Sequence, residues 1–412
     1  MGTVACGNAD AFMTEKTDRT LPPWLLGWGN LPLAINGSVG IIAVPDLLAS
    51  AHVPEAQIAT VTSLYLATAF IGIPITPILD WRYARRSYAI AFTLLCTVFT
   101  CASLLAVRNV GLLTIFLFLS GLTNVLVINA VGGWFGNLLP TEQKDALGAW
   151  FTIANFGGGG VAAAFSIFAM RHLPSPWGAI ATSALILLVL PLYLLTPCPR
   201  ADRKLAAESF RAFSSDVIAM FRRKEVQWIL AIFLAPAASF ALTNTLSGFG
   251  HNFHTSDEMV GLIGGSGVTI AGICGSLIVP QIAKRISPVA IYLLVGLIGA
   301  SFTISLLPQA RDAFTFGIAI LGENLFQAAA FSAANAITLR TIGHDNPLAA
   351  TQYGVLLGAT QIPLTYMQVI DGNAYHLVGL TGTLLTDASI SGLACLVIGT
   401  LYWQFGRKIA AV

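Results

Sequence analysis

Twelve apolar runs dominate this chain and leave it few ways to fold. A membrane-crossing helix needs about 20 mostly apolar residues, and runs of that order lie at about 24–49, 56–79, 87–107, 110–137, 146–170, 177–196, 227–250, 258–283, 287–308, 313–339, 349–371 and 377–404. They are too long and too continuously apolar for the alternating ten-residue strands of a membrane barrel. Only 10% of the 412 residues are charged, against roughly 25% in a soluble domain, so a soluble core cannot hide the apolar surface. The fold class predicted is an all-α membrane protein of twelve transmembrane helices. Pro32, Pro45, Pro74, Pro191, Pro236 and Pro363 fall inside runs and predict kinks, which neighbouring helices can tolerate.

Charge location sets the expected orientation. Placing the amino terminus in the cytoplasm leaves only Arg108, Arg171 and Arg311 of the 21 Lys and Arg residues on the far side, as the positive-inside rule requires. Both termini are therefore expected in the cytoplasm. The net charge of +2 gives no field that would favour nucleic acid. Residues 1–23 lack the basic start, short apolar core and cleavage site of a secretory signal and read as a cytoplasmic tail, as do 406–412.

One long polar stretch, 197–226, separates a six-helix half at 24–196 from a second at 227–405. Within it Phe210, Phe213, Val217, Met220 and Phe221 recur at spacings of three and four beside Arg211, Arg222, Arg223 and Lys224, the pattern of an amphipathic helix on the membrane surface. The halves resemble each other: 121–151 and 322–353 both run helix, short polar loop, helix, at an offset of about 201. Parallel repeats of this kind place a solute path between the halves, near the bilayer midplane.

Glu323 is the most informative single residue. It sits about ten residues into its run, roughly 15 Å down a helix, where a carboxylate costs on the order of 3 kcal/mol and marks a proton or solute pathway. A purely structural carboxyl, hydrogen-bonded to a neighbouring helix, is the alternative. Asn36, Asn124, Asn129, Asn244, Asn324, Gln327 and Gln361 supply amides within the runs. They can line a polar solute's path or join helices to one another. Asp46, Asp371 and Asp387 are placed nearer the ends of their runs, within reach of water, as weaker proton sites.

The glycine patterns Gly157 to Gly160, Gly132/Gly136, Gly261/Gly265 and Gly354/Gly358 predict close helix contacts. The four-glycine run lacks the Lys-Ser/Thr of a phosphate loop. Neither a G-x-S-x-G nor an H-E-x-x-H motif is present, and the six cysteines form no C-x-x-C pair. No enzyme, cofactor, metal site or disulfide is predicted. No Lys or Arg lies near the centre of a run, which disfavours a cavity for polyphosphates and favours neutral, zwitterionic or cationic solutes.

Two stretches carry a family resemblance: Asn30-Leu31-Pro32-Leu33-Ala34 through Pro77-Ile78-Leu79-Asp80 with its following arginines, and Ala350-Thr351-Gln352-Tyr353-Gly354 through Thr383. They resemble the peptide/acetyl-coenzyme A/drug transporter branch of the major facilitator superfamily, particularly bacterial muropeptide permeases. The loop from Asp80 to Arg86 resembles that superfamily's signature loop, with Thr76 in place of the expected Gly. The resemblance implies a gating role for Asp80, beside Arg82, Arg85 and Arg86. It further implies a bacterial inner-membrane protein, a monomer among lipids, moving a peptide-like, muropeptide or siderophore solute with protons. A drug or metabolite exporter, or a non-transporting receptor on the same fold, are the alternative readings.

Overall fold

The computed structural model describes residues 21–198 and 210–404, and every regular element in them is helical. The amino-terminal half comprises α1 (Pro23–Ser50), α2 (Glu55–Ile71, continued by the 3₁₀ segment Ile73–Asp80), α3 (Arg85–Leu105), α4 (Val110–Leu138), α5 (Thr141–His172) and α6 (Trp177–Leu195). After α7 (Phe210–Arg222) come α8 (Lys224–Leu234), α9 (Glu258–Ile282), α10 (Pro288–Ser305), α11 (Ala313–Ile342), α12 (Ala349–Ala359), α13 (Gln361–Val378) and α14 (Leu380–Gln404). Among the described residues nine helices are long and apolar enough to cross a membrane, and the two parts of α2 make a tenth. Large apolar side chains such as Val98, Phe314, Leu377 and Leu393 are exposed on their outer faces, which suits hydrocarbon and not water.

Local chemistry sets the breaks. Pro74 and Pro77 remove backbone donors just after Gly72, and α2 bends there by 47°. The run at 227–250, expected as one helix, is not one. It is helical only to Leu234, then passes through Ala238 (φ +55°) and Phe240 (φ +50°) into 3₁₀ turns at Ala241–Asn244 and Leu246–Phe253. Pro236 lacks the N–H that would continue the helix, and an averaged hydropathy does not register that loss. The run at 349–371 likewise divides at Thr360, before Pro363. At the start of α11, Asp312 accepts the Thr315 backbone N–H (2.8 Å); this bond holds its exposed carboxyl below the usual aspartate range.

Within the linker a helix, α7, runs over Phe210–Arg222; in it Met220 is buried, while Ile218 and Phe221 are exposed. Residues 199–209 of the linker, 1–20 of the predicted tail and 405–412 lie outside the described residues.

Leu126, Val127, Trp134, Phe135, Phe151 and Tyr193 form one core, which takes in Leu339, Ala350 and Tyr353 of the second half, and Ile232, Phe233, Ile291, Tyr292, Ala333 and Leu356 form another. Packing between the halves is concentrated where the 3₁₀ segment of α2 and helix α4 meet α12, and where α5 meets α9 and α11.

Candidate functional site

Asp80 ends the 3₁₀ segment of α2 and is fully buried. Its Oδ1 accepts the Arg85 Nε–H (2.7 Å) and the Ala350 N–H (3.2 Å), and its Oδ2 accepts the Thr351 N–H (2.7 Å) and hydroxyl (2.6 Å). The carboxylate thus caps the start of α12 in the other half, where the open N–H groups and the helix dipole favour an anion. Arg85, also buried, donates onward to the carbonyls of Asn346 (3.0 Å) and Pro347 (2.8 Å). One acid and one base of the predicted gate therefore join both halves.

The other two predicted gate residues do not reach this point. Arg82 is exposed, with its guanidinium over the Trp81 ring. Arg86 donates to the Leu194 carbonyl (2.7 Å) within its own half.

The contact between the halves continues through residues that sequence reasoning did not single out. Asn137 and Asn346 exchange a pair of bonds, at 3.1 and 3.0 Å. Lys144 donates to the Gly343 carbonyl (2.8 Å). Arg340 grips both oxygens of Asp145, through Nε at 2.7 Å and through Nη2. All side-chain hydrogen bonds described between the halves join residues 80–152 to residues 335–351. Backbones meet closely here: a Cβ on Gly133 would lie 2.4 Å from the Ala350 nitrogen, and one on Gly132 would lie 2.3 Å from the Tyr353 ring. The expected close contacts also occur at Gly158, Gly160, Gly354 and Gly358; Gly261 and Gly265 have no atom in that reach, so the small-residue expectation fails there.

A second polar assembly is buried inside the carboxyl-terminal half. Glu323, on α11, has no exposed surface; Oε1 is hydrogen-bonded to the Thr303 hydroxyl of α10, and among the described residues no partner reaches Oε2. Asp371 of α13 and Asp387 of α14 are 2% and 4% exposed, not near water as their positions in the runs predicted. Both lie about 10 Å from the end of their helix, yet neighbouring helices cover them. They sit on adjoining helices, interact with each other electrostatically, and both act electrostatically on Glu323. Both oxygens of Asp371 and Oδ1 of Asp387 find no donor among the described residues. Two carboxylates offer only acceptors, so a hydrogen bond can form between them only when one carries a proton. Asp46, by contrast, is half-exposed and paired with Arg171 (2.7 Å).

The predicted amides separate into several environments. Asn36 donates to Thr100 (3.0 Å) and Ser120 and accepts from the Tyr65 hydroxyl (2.8 Å), knitting α1 to α2, α3 and α4. Asn129 donates to Thr76 (2.9 Å), Asn324 to the Ile320 carbonyl of its own helix (2.9 Å), and Gln327 to Thr243 (2.5 Å). Gln361 is half-buried and bonds to Thr360 (3.2 Å), and Asn244 is exposed. Asn124, 2% exposed, has no partner for its Oδ1 among the described residues, which leaves its carbonyl free to accept from them.

Comparison with known proteins bears on this geometry. The family model described as Major Facilitator Superfamily matches residues 26–365. A search by sequence finds no matching curated protein. Among solved structures, the fucose:proton symporter FucP of E. coli superposes with a TM-score of 0.69 at 16% identity, covering 91% of this chain and 97% of that one. The proton:xylose symporter XylE gives 0.63 at 12% identity, covering 93% and 94%. A bacterial homologue of the iron transporter ferroportin, in its outward-facing state, gives 0.62 at 14% identity, covering 94% of this chain and 100% of that one.

Proposed function

The chain belongs to the major facilitator superfamily, and on that premise we propose that it is a proton-coupled secondary transporter moving a modest-sized organic solute by alternating access. The observation that carries the proton reading is Glu323, a fully buried carboxyl with an unpartnered oxygen about 15 Å into its span. Such a group is stable when neutral and costly when ionised, so its protonation can be tied to which conformer is favoured.

The Lys/Arg distribution supports a cytoplasmic position for the Asp80 end and for both termini, in a bacterial inner membrane. The inter-half bonds gathered at that end then describe a conformer closed towards the cytoplasm. Asp80, Ala350 and Thr351, which lie in the two stretches that resembled the muropeptide branch, bond to one another across the halves, so they speak for gating more than for a solute. Solute choice rests instead on polar groups such as Asn124, Asn244 and Gln361. Amides with no lysine or arginine at mid-span suit a neutral or zwitterionic solute. Peptide-like compounds, muropeptides and siderophores head the candidates, and the sugars named for the solved neighbours join them.

The test is proton movement in proteoliposomes carrying wild type or Glu323→Gln, with a pH-sensitive dye inside and small peptides, muropeptides, siderophores, fucose and xylose added in turn. A solute that moves protons through the wild type and not through the variant supports the reading. Equal proton movement in both proteins overturns the role of Glu323. Solute exchange with no proton movement in either overturns the coupling.

A further inference from the structure

The unpartnered polar atoms of the carboxyl-terminal half converge on one small cavity. It holds about 10 Å³ and is lined by Ala238, Ser239, Phe240, Gly296, Gly299, Ala300, Thr303, Asp387 and Ser391. Four of these side chains are polar, and each is at least nine-tenths buried. The hydroxyls of Ser239 and Ser391 and Oδ1 of Asp387 have no partner among the described residues. The cavity's position matters as much as its lining. Thr303 is the group bonded to Glu323 on one side, and Asp387 is the group that interacts electrostatically with Asp371 of the adjoining helix on the other.

A volume of this size accommodates one water, and a buried water needs two to four polar partners. Two serine hydroxyls that can donate, a carboxyl oxygen that can accept and the Thr303 hydroxyl meet that need. No lysine or arginine lines the cavity, so no fixed cation neutralises the three acids from there.

We propose that a single water held by Ser239, Ser391 and Asp387 joins the two acidic sites into one proton relay, running Asp371, Asp387, water, Thr303, Glu323. The inference rests on the proton-coupled reading and deepens it by naming the route. In each passage a proton leaves Asp371 for Asp387, Asp387 releases one to the water, the water passes one to the Thr303 oxygen, and Thr303 gives its own hydroxyl proton to Glu323. Every O–H bond formed is matched by one broken, so one proton is transferred and the water and the threonine are regenerated. The Thr303 hydroxyl also lies 3.1 Å from the Gly299 carbonyl, a second orientation through which it can turn to reset.

The route enters at the right level. Asp371 and Asp387 both lie about 10 Å from the helix ends remote from Asp80, and Glu323 about 15 Å from that side. Gly372 and Asn373, the next residues on α13, are exposed. The break in the 227–250 run acquires a purpose on this account: the unwound stretch through Ala238 and Phe240 brings Ser239 to the cavity wall, where a continuous helix would turn on its own axis.

Hydrogen–deuterium exchange of the protonated carboxyl bands, followed by infrared spectroscopy on the reconstituted full chain, tests the relay without any solute. The Glu323 band is identified by its loss in Glu323→Gln. Its exchange is expected to slow by about a hundredfold in Thr303→Val, the scale of losing a positioned proton-transfer group, and to recover in Thr303→Ser. Ser391→Ala, a milder change that keeps all three acids, is expected to slow it in the same direction. Unchanged exchange in both Thr303→Val and Ser391→Ala, with melting temperatures like the wild type, overturns the relay. That result leaves the transport reading standing, because the dye assay on Glu323→Gln judges it separately.

Discussion

Thr351 gives both its backbone N–H and its hydroxyl to one oxygen of Asp80, 271 residues earlier in the chain. The carboxylate also holds Arg85 by a 2.7 Å bond in a site without exposed surface. An acid so placed acts as the keystone between the halves, because removing its charge leaves a buried guanidinium half-satisfied.

Asp80→Asn should therefore destabilise the closed arrangement by about 3 kcal/mol, the cost of breaking a buried ion pair from one side. Spin labels at the exposed positions Arg82 and His344, in a background without native cysteines, would report it. The distance distribution should broaden and lengthen in the variant. An unchanged distribution would mean that Asp80 does not hold the halves together.

The Asp145–Arg340 pair is less enclosed, with 34% of the arginine side chain exposed, and solvent screening reduces its worth to about 1 kcal/mol. Asp145→Arg alone should loosen the same end and lower the melting temperature by a few degrees. Adding Arg340→Asp should recover much of the loss. Failure of the exchanged pair to recover would assign the effect to packing.

Gly133→Leu probes closure by bulk. Its Cβ would fall 2.4 Å from the Ala350 nitrogen, and that contact is backbone, which cannot swing aside. Overpacking of this kind costs about 1–3 kcal/mol, charged here to the conformer in which the halves meet. The labelled distance at the Asp80 end should lengthen while the helical content measured by circular dichroism stays constant.

Asn36 and Asn124 should part company under substitution. Asn36→Ala removes three bonds linking four helices and is expected to cost roughly 1–2 kcal/mol of stability. Asn124→Ala removes an acceptor with no partner among the described residues, so its melting temperature should hold while the affinity for a transported solute falls. The reverse pattern would exchange the structural and solute-binding assignments of the two amides.

Much of this was legible in the residues because a bilayer enforces it. Apolar runs separated by arginines can do little except span, and Glu323, the one charged residue in the run 313–339, announces its own cost. The loop motif singled out Asp80, which bonds to the other half at Ala350 and Thr351. The Asp145–Arg340 grip was not legible, since its partners stand 195 residues apart and each alone reads as a solvated end; the matching helix–loop–helix corners of the two halves were the available signal. Asp371 and Asp387 were misjudged because distance to the end of a run measures depth and not which side of the helix a neighbour covers. Pro236 predicted a kink after Leu234, but the full break there was not legible, because one proline hardly changes an average hydropathy.

Helix α11 carries Glu323 and, 17 residues further on, Arg340 without an interruption. The two side chains are thus borne on a rod with about 25 Å between them. A tilt of about 5° pivoting near Glu323 would sweep the guanidinium end through about 2 Å. That stroke exceeds what a hydrogen bond can stretch, so a small angular adjustment around a changed carboxyl is amplified into a parted clasp at the far tip of the same lever.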